Sequence, residues 1–472
     1  MVGDYTLKNN NILPEVYPVA CHTNHVGQDT IFVAISGMKQ DGINYIPLAL
    51  EKGARKIVVQ ASAIISEQII QLLHTYKAEL VYVENARKAL AELSAQALGY
   101  PAKKLKIIGI TGTKGKTTTT FLLEHILRNS GKETAMLSTV YNKIGDDVVA
   151  TKLTTQQPDY LHIFFDICVK RGIEYVIMEV AAQAFSLYRV YGLHLEAAIF
   201  TNFSQEHSEF YATMEDYFAA KMQIVDHMKA GAPLLVNADD EKVANGASIY
   251  KNAYLFSPLE PLKPSIFNHL NDQGIHFSFS CPALLGKFNQ YNIAAAAGCA
   301  KLLHIENAQI QKALDNFPGV PGRLEKYNLP NGALGVIDYA HNPASFEAVL
   351  SELRTHTDHL IVIFGCGGER DTSKRPLMGG IVSNIADRVI LTADNPRSES
   401  LPVINQQILE GVAFVHKNKV EIEEDRQRAI QKAYAQSHAG SIIVLLGKGP
   451  DEYQIIQGVT YPLSEKEILK SL

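Results

Sequence analysis

The segment Lys104–Leu127, KLKIIGITGTKGKTTTTFLLEHIL, sets a glycine-rich turn between an apolar run and a helical pattern. Its core is Gly112-Thr113-Lys114-Gly115-Lys116-Thr117-Thr118. A turn of this kind does phosphate chemistry. Glycine lets backbone N–H groups turn inward and approach phosphate oxygens with no Cβ in the way. The start of the helix adds its partial positive charge. Lys116 brings an ammonium to the β- and γ-phosphates, and the Thr117 hydroxyl is a ligand for Mg²⁺. The strict GxxxxGK[ST] spacing is missed, because the residue five before Gly115 is Ile110; the shorter TGTxGKTT form stands instead. An ordinary strand-to-helix turn would need neither the lysine nor the threonine. A nucleoside triphosphate with Mg²⁺ is therefore the expected ligand.

Such a loop needs a sheet to carry it and helices to cover it. Apolar runs predict strands at Ile31–Ile35, Lys56–Val59, Leu80–Val83, Leu105–Ile110, Tyr175–Met178, Ala197–Phe200 and Pro233–Val236, and again at Gly335–Ile337, Leu360–Phe364, Arg388–Leu391 and Ser441–Leu446. Amphipathic stretches such as Ser66–Tyr76, Ala86–Leu98 and Thr117–Asn129 fall between them. This alternation argues for βαβ units, mostly parallel sheets and an α/β fold. The turn-rich joints YPAKKLK and FPGVPGRLE divide the chain into segments 1–103, 104–324 and 325–472, each of domain size. The stretch Leu259–Cys281 reads only as loops or a hairpin.

Composition narrows the class. Of 472 residues, 46% are apolar and 20% charged, an ordinary globular mix that excludes disordered and collagen-like chains. The net charge of −5 gives no bulk attraction to nucleic acid or anionic lipid. Five cysteines (Cys21, Cys168, Cys281, Cys299 and Cys366) are scattered with no CxxC pair, as for free thiols in a reducing cytosol. The N-terminus lacks a signal-peptide pattern, and no window holds the ~18 apolar residues of a membrane span. A cytoplasmic protein is expected, with no nucleic-acid or membrane partner.

Further motifs follow in order: HTNHVGQDTIFVAISGMKQDG, MEVAAQAF, TNFSQEHSEFYATMEDYFAAK, GKFNQYN, PGRLE, VIDYAHNPAS, FGCGGERDTSKRPLMG and LTADNPRSES. With the phosphate loop, they make nearly the whole chain resemble the Mur ligases, ATP-dependent amide-forming enzymes of peptidoglycan precursor synthesis. Within these the sequence looks most like the MurE branch. The resemblance implies three domains: a mixed α/β uridine-binding domain, a central P-loop ATPase domain with a parallel sheet, and a C-terminal Rossmann-like α/β domain. It places Gly112–Thr118, Asn289, Asn292, Arg323, Asp338 and His341 on ATP. It places Thr117, Glu179, His207 and Lys221 at Mg²⁺, with Lys221 carbamylated and with Lys116, Glu179, His207 and Lys221 serving catalysis. Thr23, Thr154, Thr155 and Arg189 fall to the UDP-muramoyl peptide. Arg370, Asp394, Asn395, Arg397, Gly447 and Asp451 fall to the incoming amino acid. The four-residue form Asp394-Asn395-Pro396-Arg397 goes with meso-diaminopimelate. A guanidinium fork suits that molecule's extra carboxylate and would repel a lysine ammonium.

The resemblance has gaps. The family's Asp-Ser-Arg near the N-terminus is His22-Thr23-Asn24, and Ser-Ser-His after the metal glutamate is Ala181-Ala182-Gln183. Thr154-Thr155 is followed by QQPD, and the C-terminal GKGHE string reads Gly447-Lys448-Gly449-Pro450-Asp451. The expected reaction adds meso-diaminopimelate to UDP-N-acetylmuramoyl-L-Ala-D-Glu through an acyl phosphate, in a monomer. The readings left open are a relative with another amino acid, such as L-lysine, or another acceptor, and a nucleotide-binding regulatory protein without turnover.

Overall fold

The computed structural model describes residues 12–37, 40–151, 153–204, 210–258 and 279–472. The expected irregular stretch at Leu259–Cys281 lies outside the described residues up to 278. The chain forms two compact units. The larger takes in the chain up to Cys281 together with Phe288–Phe317, and the smaller holds Pro282–Lys287 and Pro318–Leu472.

The larger unit contains two sheets. The first is a four-stranded parallel sheet of Val19–Ala20, Ile31–Val33, Lys56–Gln60 and Glu79–Val83, in that order. Helices Glu67–Tyr76 and Ala86–Ala97 belong to this region, and each starts at a side-chain cap, Ser66 or Asn85. The second sheet has eight strands. Six run parallel in the order Ala253–Phe256, Leu234–Asn237, Ala197–Phe200, Lys106–Thr111, Tyr175–Glu179 and Thr134–Leu137. Tyr141–Ile144 and Asp147–Ala150 add an antiparallel edge. The central strands are apolar between their ends because both faces are covered. Ile107, Ile108, Ile110, Val176, Ile177 and Ile199 are fully buried.

The smaller unit holds a six-stranded sheet in the order Glu325–Asn328, Leu334–Asp338, Ile442–Leu446, Leu360–Phe364, Arg388–Leu391 and Val420–Ile422. Only the first pairing is antiparallel. A separate hairpin joins Tyr453–Ile456 to Val459–Pro462. In both large sheets the strand ends carry the predicted chemistry, the usual place for ligands in open parallel sheets. Among the described residues no helix is long and apolar enough to cross a membrane.

Candidate active site

The phosphate loop joins the strand Lys106–Thr111 to the helix Lys116–Asn129. Two glycines are required by contact as well as by conformation. Gly112 has φ +140°, and a Cβ there would lie 2.0 Å from Thr201 Oγ1. Gly115 caps the helix at φ +82°, and its Cβ would lie 2.2 Å from Asn292 Oδ1. The loop is clamped by the segment after strand Ala197–Phe200. Lys114 N donates to Asn202 Oδ1 at 2.9 Å, while Thr201 Oγ1 and Asn202 Nδ2 donate to Lys114 O at 2.6 and 3.0 Å. Thr113 N donates to Asn202 O at 2.9 Å. Lys116 Nζ donates to Gly112 O and Thr113 O at 2.9 and 2.8 Å, so its ammonium lies over the loop's own backbone. Thr118 is buried in the first turn of the helix.

Parallel register brings Glu179 beside this loop, since Ile110 pairs with Glu179. Glu179 is fully buried. Its carboxylate accepts from Thr117 Oγ1 at 3.0 Å, from Thr139 N at 2.8 Å and from Thr139 Oγ1 at 3.1 Å. Thr139 Oγ1 also lies 3.1 Å from Thr154 Oγ1. Thr155 Oγ1 donates to Glu179 O at 2.9 Å and accepts from Ala181 N at 3.0 Å. Arg189 Nη1 donates to Thr155 O at 2.8 Å. One hydrogen-bonded chain thus links the phosphate loop, the acid and the residues expected to hold the acceptor peptide.

Lys221, on the helix Met214–Met222, is 1% exposed. Its Nζ donates to Gly112 O at 2.7 Å and lies 4.6 Å from the centre of the Tyr217 ring. The Thr117 hydroxyl and Glu179 carboxylate are hard oxygen donors in hydrogen-bond contact, a set that fits Mg²⁺. Among the described residues no cluster of three His, Cys, Asp or Glu side chains forms. His207 lies outside the described residues.

Asn289 and Asn292 are both buried on the helix Lys287–Leu302. Asn292 Nδ2 donates to Asn289 Oδ1 at 2.9 Å, and Thr119 Oγ1 donates to Asn292 Oδ1 at 3.4 Å. Asn292 therefore sits against the phosphate loop, with Asn289 hydrogen-bonded to it. Thr23 lies in the short turn Thr23–His25 of the N-terminal sheet, where its carbonyl accepts from Lys52 Nζ at 2.8 Å. Beside it the His25 ring stacks on Tyr17, with centroids 4.1 Å apart.

In the smaller unit, the remaining candidates gather at the strand ends. Arg323 stacks its guanidinium over Tyr339, 4.5 Å from the ring centre. Asp338 accepts from Leu324 N at 2.9 Å and Ala340 N at 2.7 Å. Burial pushes its carboxyl above the ordinary range, against the pull of Arg323 and these N–H donors. His341 is exposed, with Nδ1 2.8 Å from Tyr339 O. Arg370 is exposed on the loop after strand Leu360–Phe364. Arg397 has φ +54° and donates to Gly368 O at 2.6 Å. Asn395 Oδ1 accepts from Ile455 N at 2.9 Å and from Lys448 Nζ at 3.4 Å. Lys448 Nζ also pairs with Asp394 at 3.6 Å. Gly447 turns at φ +107°, with N donating to Asp338 O at 3.2 Å. Burial raises the Asp451 carboxyl, and the nearby Lys448 partly counters it.

Sequence reasoning missed Thr139, Thr201, Asn202 and Lys448. Thr201 and Asn202 open the TNFS string that carries His207, so that string offered a signal. Lys448 lies inside the GKGPD string but was passed over for its neighbours. Thr139 had no local signal, since its role arises only when the strand end meets Glu179.

Residues 15–97 match the model of the Mur ligase family catalytic domain, 110–300 the Mur ligase middle domain and 322–449 the Mur ligase glutamate ligase domain. The chain is 36% identical to the UDP-N-acetylmuramoyl-L-alanyl-D-glutamate–2,6-diaminopimelate ligase of Aquifex aeolicus, over 98% of this chain and 94% of the relative. The enzyme of the same name from Clostridium botulinum is 35% identical, over 97% of this chain and 95% of the relative. A solved structure of a ligase of that name superposes with a TM-score of 0.62 at 26% identity, covering 97% of this chain and 94% of the other. The MurF ligase of Thermotoga maritima, solved with ADP, shares the fold at a TM-score of 0.62 and 18% identity, over 96% of each chain. These matches and the site they overlie place the chain in the Mur ligase family.

Proposed function

We propose that the protein is an ATP-dependent ligase that adds meso-diaminopimelate to UDP-N-acetylmuramoyl-L-Ala-D-Glu, in the cytoplasmic stage of peptidoglycan precursor synthesis. The observation that carries this reading is the position of Glu179 between Thr117 of the phosphate loop and the Thr139–Thr154 hydroxyls. In this reading Glu179 would hold the metal between the triphosphate and the residues suited to an acceptor peptide. The names of the full-length relatives and the chemistry of Arg397 favour diaminopimelate as the amino acid.

The acceptor's terminal carboxylate attacks the γ-phosphorus of ATP and ADP leaves, giving an acyl phosphate. The amine of the amino acid then attacks the acyl carbon. The tetrahedral intermediate expels phosphate, the nitrogen loses a proton, and an amide remains. Phosphoryl transfer of this kind needs positioning and charge neutralisation more than covalent help. Gly112–Thr118 cradle the phosphates, and Lys116 neutralises charge on them. Mg²⁺, held by Thr117 and Glu179, would supply further neutralisation. Lys221 as a carbamate would present an anion beside it, and His207 would complete the site. Arg189 and the Thr154-Thr155 pair orient the acceptor. Arg370, Asn395 and Arg397 bind the amino acid's carboxylates, and Asp451 its ammonium.

The test incubates the protein with ATP, Mg²⁺, UDP-N-acetylmuramoyl-L-Ala-D-Glu and a panel of amino acids, and follows phosphate release. Diaminopimelate-dependent release is expected. Release with L-lysine alone would move the assignment to the second reading, which the Ala181-Ala182-Gln183 and Pro450-Asp451 replacements favour. No release with any amino acid rejects UDP-N-acetylmuramoyl-L-Ala-D-Glu as the acceptor, and with it the proposed function.

A further inference from the structure

The loops carrying Arg370 and Arg397 are stitched together by an ion pair that touches both, its guanidinium buried and its carboxylate partly open to solvent. Arg375 is fully buried on the helix Lys374–Ile385. Its Nη1 donates to Glu399 Oε2 at 2.8 Å and Gln407 Oε1 at 2.6 Å, and its Nη2 donates to Gly367 O at 3.1 Å. Glu399 reaches back with its other oxygen, which accepts from Glu369 N. Around this pair, Gly368 N donates to Asn395 O at 2.9 Å and Ser398 N to Glu369 Oε1 at 3.3 Å. The loops are in backbone contact, since a Cβ on Gly368 would lie 2.0 Å from Pro396 O. Arg375 and its hydrogen bonds hold the Glu399 carboxyl below the usual range, so the pair stays ionised.

We propose that Arg375 and Glu399 are positioning residues for the incoming amino acid: by tying residues 367–370 to residues 394–399 they fix the spacing of Arg370 and Arg397. The inference rests on the proposed amino-acid-adding activity and deepens it. Two guanidinium groups that must meet two carboxylates of one small molecule tolerate little error in spacing. A displacement of about 1 Å at a binding group can cost on the order of 10²-fold. A planar fork making three hydrogen bonds fixes both distance and orientation, which a lysine at position 375 could not do. An ion pair whose carboxylate is partly open to solvent adds little stability by itself, because water screens its attraction.

The test measures KM for the amino acid, for ATP and for the UDP-muramoyl dipeptide separately, in full-length Arg375→Lys and Glu399→Gln. It uses whichever amino acid the wild-type protein takes up best. A wild type that rejects diaminopimelate then counts against the substrate reading and not against the positioning role. The expected result is an amino-acid KM raised at least ~10-fold, with kcat and the other two KM values within about 3-fold of wild type. Glu399→Gln keeps the shape and a carbonyl for Glu369 N, so it decides the matter if Arg375→Lys does not fold. An unchanged amino-acid KM in the folded variant, or all three KM values rising together, overturns the proposal.

Discussion

The side chains of Lys116 and Lys221 meet at one atom: both ammonium groups donate to Gly112 O, at 2.9 and 2.7 Å. Two cations ~5 Å apart at an effective dielectric of 20 repel by about 3 kcal/mol. Lys221 is buried, so water screens this repulsion poorly. Bound phosphates would offset it from one side. Converting Lys221 to a carbamate would remove it from the other and leave an anion for Mg²⁺.

Lys221→Ala should therefore lower kcat by about 10²–10³-fold, the scale of one electrostatic group at a phosphoryl-transfer site. Acetate or another short carboxylate should restore part of it, because an external anion can occupy the space vacated. Phosphate-release assays across a carboxylate series test this. An absence of rescue, with full turnover kept by Lys221→Arg, would refute the carbamate role.

Thr139 supplies two of the hydrogen bonds that orient Glu179. Thr139→Val keeps the backbone N–H and loses the hydroxyl. A hydrogen bond to a charged group is worth about 1.5–3 kcal/mol. The Mg²⁺ concentration for half-maximal activity should rise about 10-fold or more, and Thr139→Ser should behave as wild type. Titration of activity with Mg²⁺ checks this; identical curves for Thr139→Val and wild type would break the link.

These residues show where the sequence was legible. Strands such as Ala197–Phe200 and Leu360–Phe364 occur as predicted, since a parallel strand buried on both faces must be apolar along its length. The phosphate loop was legible because its glycines, lysine and threonines lie within eight residues. The edge strands Tyr141–Ile144 and Asp147–Ala150 carried no such run, because pairing with a neighbour defines them. Thr139 was invisible for the same reason, while Lys448 stood in the GKGPD string without a readable role. Each acts through a partner far along the chain, Glu179 for one and Asp394 for the other.

Asp451 gives a pH signature. Burial raises its carboxyl above the ordinary Asp value of ~3.9. As pH falls, Asp451 is protonated earlier than an exposed aspartate, and its proposed attraction for the amino acid's ammonium would be lost. KM for diaminopimelate should rise on acidification, beginning above the usual carboxylate range. Asp451→Asn should show a KM raised about 10-fold at neutral pH, with this acid limb flattened. KM measured across pH for both proteins decides it; parallel profiles would exclude Asp451 as the titrating group.

His162 predicts an acid-sensitive core. Burial lowers it from 6.5 to about 4, and its Nδ1 has no hydrogen-bond partner among the described residues. The folded state thus favours the neutral ring. Its contribution is complete above the unfolded value of ~6.5 and is lost as pH falls toward 4. The loss amounts to roughly 3 kcal/mol over that window. Urea unfolding at pH 7.5 and 4.5 should show a smaller acid loss in His162→Leu than in wild type. An equal loss in both would place the acid sensitivity elsewhere.

Arg426 and Glu465 form a wholly buried pair at 2.7 Å, and the guanidinium also donates to Ala393 O at 3.2 Å and Leu446 O at 2.9 Å. Leu446 ends the strand before Gly447–Asp451, and Ala393 follows the strand Arg388–Leu391 into Asp394–Arg397, so the pair braces both proposed amino-acid loops from behind. Arg426→Met would leave Glu465 buried and unpaired; burial already raises its carboxyl, so it would take up a proton, and the loss should reach up to about 3–5 kcal/mol. Replacing both, as Arg426→Met with Glu465→Leu, removes the unpaired buried carboxyl and should recover most of that loss, although the two carbonyls stay unsatisfied. Thermal melting of the three variants should therefore rank the single Arg426→Met lowest, with the double variant between it and wild type. A double variant no more stable than Arg426→Met would mean that the carbonyl contacts, and not the ion pair, hold the strand ends in place.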